Sequence, residues 1–162
     1  METMEGMKRT HHCGELRATN EGQEVVLCGW VSHRRDHGGL IFIDLRDRSG
    51  LVQLVFAEDK IGADQFPKES LRSEFVVAVR GKVSLRDKET INPNMETGEI
   101  EIYAEELRIL NKALTPPFYI QDGIDVDENV RLKYRYLDLR RPEMQKNIML
   151  RHRVTKLMRD YF

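Results

Sequence analysis

Phe42 stands among charges in the run Arg34–Arg46, RRDHGGLIFIDLR, which continues at once into Asp47–Phe56, DRSGLVQLVF. The pattern reads as two strands of a meander, with a third, Val25 to Arg34, just before it. Strand side chains alternate between faces, so Ile41, Ile43 and Leu45 share one face and Phe42, Asp44 and Arg46 the other. A large aromatic ring on an otherwise polar sheet face is the chemistry needed to stack an unpaired nucleobase. An outward Phe also occurs simply packed beneath a loop or a neighbouring domain, because exposed apolar side chains are common.

The elements that must position this ring are two hairpins. Asp36–Gly39 reads as a four-residue loop, since its two glycines take positive φ without strain. That register sets Arg35 opposite Leu40 and His33 opposite Phe42. The second turn, Asp47–Gly50, sets Asp44 opposite Gln53. One face then presents His33, Arg35, Phe42, Asp44 and Gln53, able both to stack a base and to hydrogen-bond its edge. A slip of one residue would turn every one of these side chains to the other face.

The surrounding chain narrows the class. Its 162 residues suffice for one domain and a small appendage. The formal net charge of −1 argues against sequence-blind coating of nucleic acid, so a nucleic-acid site must be a local patch. No apolar run approaches a bilayer span, so no membrane partner is expected. The start, METMEGMKR, lacks an apolar signal region, which points to a cytoplasmic protein. Met7 reads as an alternative start, with the first six residues a disordered lead. Two cysteines, Cys13 and Cys28, do not make a disulfide framework. His11, His12 and Cys13 lack the paired spacing of a zinc site, so no metal is expected. Cys28 alternates with Val26 and Trp30 and reads as a small buried hydrophobe. No Ser or Cys lies in an activating context for nucleophilic catalysis.

Further along, Ile61–Ser73 has helix-like spacing broken by Pro67 and predicts one short helix. Phe75–Arg86 is an amphipathic strand with a bend or bulge at Gly81. A polar loop, Asp87–Gly98, leads to a last strand from Glu99 to about Ile109. Three meander strands, a short helix and two more strands is the order of a five-stranded OB barrel, a mainly β fold that binds oligonucleotides on its strand 2–3 face.

Past Ile109 the character changes. Thr115-Pro116-Pro117 and the acidic run Asp122–Glu128 read as a hinge, and Pro142 suits the first position of a helix. Met144, Ile148, Arg151, Val154, Met158 and Phe162 then recur at helical spacing, widened by Leu150, Leu157 and Tyr161. The organisation expected is an OB domain over 1–110, a linker over 111–141 and an amphipathic helix over 142–162. With no stop signal at the helix end, the chain reads as the N-terminal part of a longer protein.

The segments CGWVSHRRDHGGLIFIDLRDRSGLVQLVF, INPNMETGEIEI and LKYRYLDLRRPEMQ resemble the N-terminal region of the bacterial-type aspartyl-tRNA synthetase family, from Lys8 to Phe162. The resemblance implies an OB domain that binds the tRNA anticodon, followed by the start of a class II catalytic domain. It places Arg35, Phe42 and Gln53 at the central uridine, and Arg86, Asn92 and Glu101 near the outer anticodon bases. It marks His37 as a loop position that differs between enzymes charging only tRNA(Asp) and those also charging tRNA(Asn), here of the relaxed type. For the complete enzyme it implies ATP and Mg2+, a homodimer, and transfer of aspartate to tRNA(Asp). It puts no catalytic residue, cofactor or metal in this chain, which alone is expected to be inactive. A sibling synthetase for Asn or Lys, and a freestanding OB module for single-stranded nucleic acid, are the alternatives.

Overall fold

The computed structural model describes residues 2–67 and 71–162. The chain divides into two compact units, Met1–Thr115 and Pro116–Phe162.

The first unit is a closed barrel of β1 (Glu24–His37), β2 (Leu40–Asp47), β3 (Gly50–Ala57), β4 (Val76–Leu85) and β5 (Ile100–Asn111), in the order β1-β2-β3-β5-β4. All neighbours are antiparallel except β3 and β5. This is the mainly β, five-stranded OB architecture expected from the element order. Alternation along the strands sends Val31, Ile41, Ile43, Leu45, Val52, Leu54, Phe56, Val77, Val79, Ile100 and Ile102 into one core. Burial of that apolar surface is the main stabilising contribution, at about 25 cal/mol per Å².

The first hairpin is tighter than expected. Its loop is Gly38–Gly39 alone, both at positive φ (+54° and +96°), as a type I′ turn demands. Arg35 therefore pairs with Phe42 and His33 with Asp44, two residues from the expected register. A shift of two preserves the faces. The second hairpin has Asp44 opposite Gln53, as expected.

Two local expectations are corrected. The short helix is α1 (Glu58–Ile61), not a segment within Ile61–Ser73, and it ends at Gly62 with φ +86°. The apolar residues that gave 61–73 its helical look, Ile61, Phe66 and Leu71, instead pack on the barrel core; positions 68–70 lie outside the described residues. The first residues do not form a disordered lead, because Glu2 is hydrogen-bonded through backbone and side chain to Ile109 at the end of β5. Met7 then joins Val26, Cys28 and Ala78 in a second buried cluster on the outside of the barrel. Cys28 is a buried free thiol, as its alternation suggested.

The N-terminal segment is fastened at one point by Asp47, the last residue of β2. One carboxylate oxygen accepts from the Cys13 N–H at 2.8 Å and lies 3.2 Å from His12 Nδ1. The other accepts from the Ser49 N–H at 2.7 Å and its hydroxyl at 2.6 Å. Burial alone would raise the Asp47 pKa; these hydrogen bonds outweigh it and hold the carboxyl below its usual range.

At Gly81 the backbones of β4 and β5 crowd together: a Cβ there would stand 2.3 Å from the Tyr103 carbonyl oxygen. The register shifts at this point, which is the irregularity the glycine announced.

The second unit holds α2 (Glu128–Lys133), α3 (Arg135–Asp138) and α4 (Pro142–Tyr161). Two short helices thus lie within the stretch read as a linker. Asp127 caps α2, accepting from the Asn129 N–H at 2.8 Å. The fully buried Asp138 accepts from Arg141 Nε at 2.8 Å and from Arg135. Helix α4 starts at Pro142 as expected, and none of its residues is buried.

Candidate nucleic-acid interface

The outer face of the barrel is built by the residues that alternate with the core. One row runs Arg35–Phe42–Val55–Tyr103 across β1, β2, β3 and β5, and a second runs His33–Asp44–Gln53 across β1 to β3. Ser84 on β4 pairs with Glu101 on β5 and continues the polar side.

Phe42 is half-buried on this face. The His37 ring stands edge-on to it, with centroids 6.1 Å apart and planes at 69°. The partner of Phe42 on β3, Val55, is 1% exposed.

Beside the ring, the polar groups form one line of hydrogen bonds. Arg35 Nη2 donates to Asp44 Oδ1 at 2.7 Å and to Gln53 Oε1 at 3.2 Å. Gln53 Nε2 donates to Glu101 Oε2 at 3.1 Å. An amide oxygen facing a guanidinium and an amide nitrogen facing a carboxylate leave Gln53 one sensible orientation. Because Gln53 is only 8% exposed, that orientation is also held by packing.

Arg86 follows β4 and donates from Nε to the Ile100 carbonyl at 2.8 Å. Burial lowers its pKa, while the charges of Glu101 and Asp44 act in the opposite sense. Its Nη2 is buried without a hydrogen-bond partner among the described residues. Asn92 is held apart from this line, within the β4–β5 loop. Its N–H donates to Gly98 O at 3.1 Å, and its Oδ1 accepts from the Asn94 N–H at 3.0 Å.

The fold thus joins Arg35, Gln53 and Glu101 by hydrogen bonds, sets His37 against Phe42, and keeps Asn92 in its own loop. One further side chain shares the face without having been singled out from the sequence. Tyr103, two positions after Glu101, has Lys60 Nζ over its ring, 3.7 Å from the centroid. Asp44 holds Arg35 in place. Alternation with Ile102 and Ala104 was the signal available for Tyr103; nothing local in the sequence brings Lys60 to it.

Among the described residues no group of three or more His, Cys, Asp or Glu side chains comes together as a metal site. Also among them, no helix is long and apolar enough to cross a membrane.

Residues 25–110 match the family described as OB-fold nucleic acid binding domain, and residues 127–162 the family tRNA synthetases class II (D, K and N). The chain is 64% identical over 157 residues to an aspartate–tRNA(Asp/Asn) ligase of Symbiobacterium thermophilum, covering 96% of this chain and 26% of that protein. It is 61% identical over 161 residues to an aspartate–tRNA(Asp/Asn) ligase of Moorella thermoacetica, covering 99% of this chain and 27% of that one. Among solved structures, the asparaginyl-tRNA synthetase of Pyrococcus horikoshii superposes with a TM-score of 0.78 at 25% identity, covering 96% of this chain and 35% of that one. The chain spans about a quarter of the length of the curated relatives it matches. It belongs to the OB-fold nucleic acid binding domain family, with the class II (D, K and N) tRNA synthetase match beside that domain.

Proposed function

We propose that the outer face of this barrel reads the anticodon of a tRNA, with the central uridine stacked on Phe42 and its edge toward Arg35 and Gln53. The observation that carries the reading is the order of polar groups beside the ring. Arg35 N–H, Gln53 Oε1 and Gln53 Nε2–H present donor, acceptor, donor. The uracil edge O4, N3–H, O2 presents acceptor, donor, acceptor, which matches all three. Cytosine offers donor, acceptor, acceptor and misaligns two of them. Gln53 can meet a base while keeping its present bonds, because the amide oxygen has a second lone pair and the nitrogen a second hydrogen. Arg35 likewise has five N–H donors, of which Nη2 serves Asp44 and Gln53. Arg86 and Glu101 then lie where the flanking bases arrive, and Asn92 serves from the β4–β5 loop.

In the whole protein the reading is an aspartate–tRNA ligase, ATP- and Mg2+-dependent, acting as a cytoplasmic homodimer on tRNA(Asp) and also on tRNA(Asn). The relatives named as Asp/Asn ligases support the double substrate. No residue of this chain is assigned to the ATP chemistry. On this reading 1–110 is the anticodon module, 111–141 the connection, and 142–162 the first helix of the catalytic part.

Binding of this chain to anticodon stem-loops tests the proposal. A GUC loop should bind more tightly than a GCC loop by about 1–3 kcal/mol, a factor of roughly 5 to 150. Equal binding of the two loops would remove the reading.

A further inference from the structure

Phe42 and Tyr103 occupy the same row on strands β2 and β5, with Val55 of β3 between them. Adjacent strands lie about 4.8 Å apart, so the two ring-bearing positions stand about 10 Å apart, with the covered Val55 between them. Bases stacked on one another are about 3.4 Å apart. Two neighbouring bases resting on these two rings are therefore splayed, the state in which single-stranded loops are read.

The Lys60 ammonium covers the Tyr103 ring at 3.7 Å from its centroid. Burial and the neighbouring Glu101 carboxylate push the Tyr103 phenol up, so the ring is neutral at ordinary pH. A cation over a partly exposed ring is held more weakly than a base stacked there. An incoming base can thus displace Lys60, and the released ammonium meets the phosphate that arrives with it. Glu101, the nearest carboxylate on β5, accepts from base N–H groups and suits the N1–H and N2–H2 edge of a guanine.

Resting on the anticodon reading above, we propose that Tyr103 is a second stacking platform, taking the first anticodon base beside Glu101, and that Lys60 moves from that ring to the backbone phosphate. One loop would then be held by two rings, each with its own edge reader: Phe42 with Gln53, and Tyr103 with Glu101.

The test is stem-loop binding by Tyr103→Leu, Tyr103→Phe, Lys60→Gln and Phe42→Ala variants of this chain. Thermal unfolding of each is followed alongside. Tyr103→Leu should weaken a GUC loop about tenfold, and Tyr103→Phe should stay within about twofold of the parent. A loop made abasic at the first anticodon position should bind parent and Tyr103→Leu alike. Lys60→Gln should reduce the slope of log K against log salt by about 0.7. Should Tyr103→Leu fail to fold, Tyr103→Trp serves instead: its fluorescence is quenched by the GUC loop and not by the abasic loop. Parent-like GUC binding by Tyr103→Leu with loss in Phe42→Ala overturns the platform and leaves the anticodon reading standing. Parent-like binding by both variants overturns the reading itself. An equal penalty on GUC and abasic loops shows Tyr103 to be structural and overturns the platform, and an unchanged salt slope overturns the role of Lys60.

Discussion

The two faces of the β2–β3 hairpin carry the same kinds of residue to opposite ends. Phe56 points into the barrel and is 0% exposed, packed among Ile41, Ile43, Leu45 and Leu54. Phe42, on the adjoining strand, points out and remains half-buried beside Arg35 and His37. Two aspartates repeat the contrast. Asp47 turns toward the N-terminal segment and fastens it, whereas Asp44 stands on the outer face and holds Arg35. The inner set closes the barrel. The outer set costs little to maintain because its polar groups are bonded to one another, and those bonds fix their orientation before any ligand arrives. Period-two alternation thus lets one hairpin stabilise the fold and present the face proposed as the reader, and the two duties can be separated by mutation.

The largest expected effect breaks the inner face. Phe56→Ala should cost about 3–5 kcal/mol of stability, a large share of the 5–15 kcal/mol of an ordinary domain. Urea unfolding measures it directly. Phe42→Ala should do the reverse, losing less than about 1 kcal/mol of stability but about 1–3 kcal/mol of stem-loop binding. If Phe42→Ala unfolds the barrel as Phe56→Ala does, the separation of duties is wrong.

Next comes Asp47→Asn, which should cost about 1.5–3 kcal/mol because hydrogen bonds to a charged acceptor are lost from a buried site. Stem-loop binding by the folded variant should be unchanged. The sign of its pH dependence follows from the lowered pKa. The group's usual value is 3.8 and the folded value lies beneath it. Its contribution is therefore whole above about pH 5 and lost as pH falls through the folded value. The stability gap between parent and Asp47→Asn should be flat from about pH 8 to 5 and narrow below about pH 4. A gap that widens in acid would contradict the hydrogen bonds assigned to Asp47.

This division explains what the sequence disclosed. Strict alternation in LIFIDLRD and GLVQLVFA separates inside from outside without any coordinates. For that reason Arg35, Phe42, Asp44 and Gln53 could be grouped on one face, and a register error of two residues left the grouping intact. The wider barrel was legible from element order. Less legible was whatever depends on distant segments meeting. The Asp47 fastening joins residues 34 apart and has no periodic signature. Nor does the packing of Ile61, Phe66 and Leu71, whose spacing imitated a helix while Gly62 ended the real one after a single turn. Lys60 reaches Tyr103 only because α1 leaves β3 beside β5, which alternation within either strand cannot show.

The smallest effect concerns His37, at the edge of the outer face. Nothing in the line from Arg35 through Gln53 to Glu101 is left over to distinguish cytosine from uracil at the third anticodon position. One nitrogen of a neutral imidazole accepts in one tautomer and donates in the other, so it meets the N4–H2 of cytosine or the O4 of uracil. GUC and GUU loops should therefore bind this chain within about twofold of each other, since each base edge finds a complementary tautomer. His37→Ala should weaken both loops by the same few-fold factor. The loss is that of one hydrogen bond to the base edge, worth about 0.5–1.5 kcal/mol, and carries no base preference. Titrating both loops into parent and His37→Ala gives four affinities. A tenfold preference of the parent for GUC would mean that the third base is read elsewhere on the face, and would assign the protein to tRNA(Asp) alone.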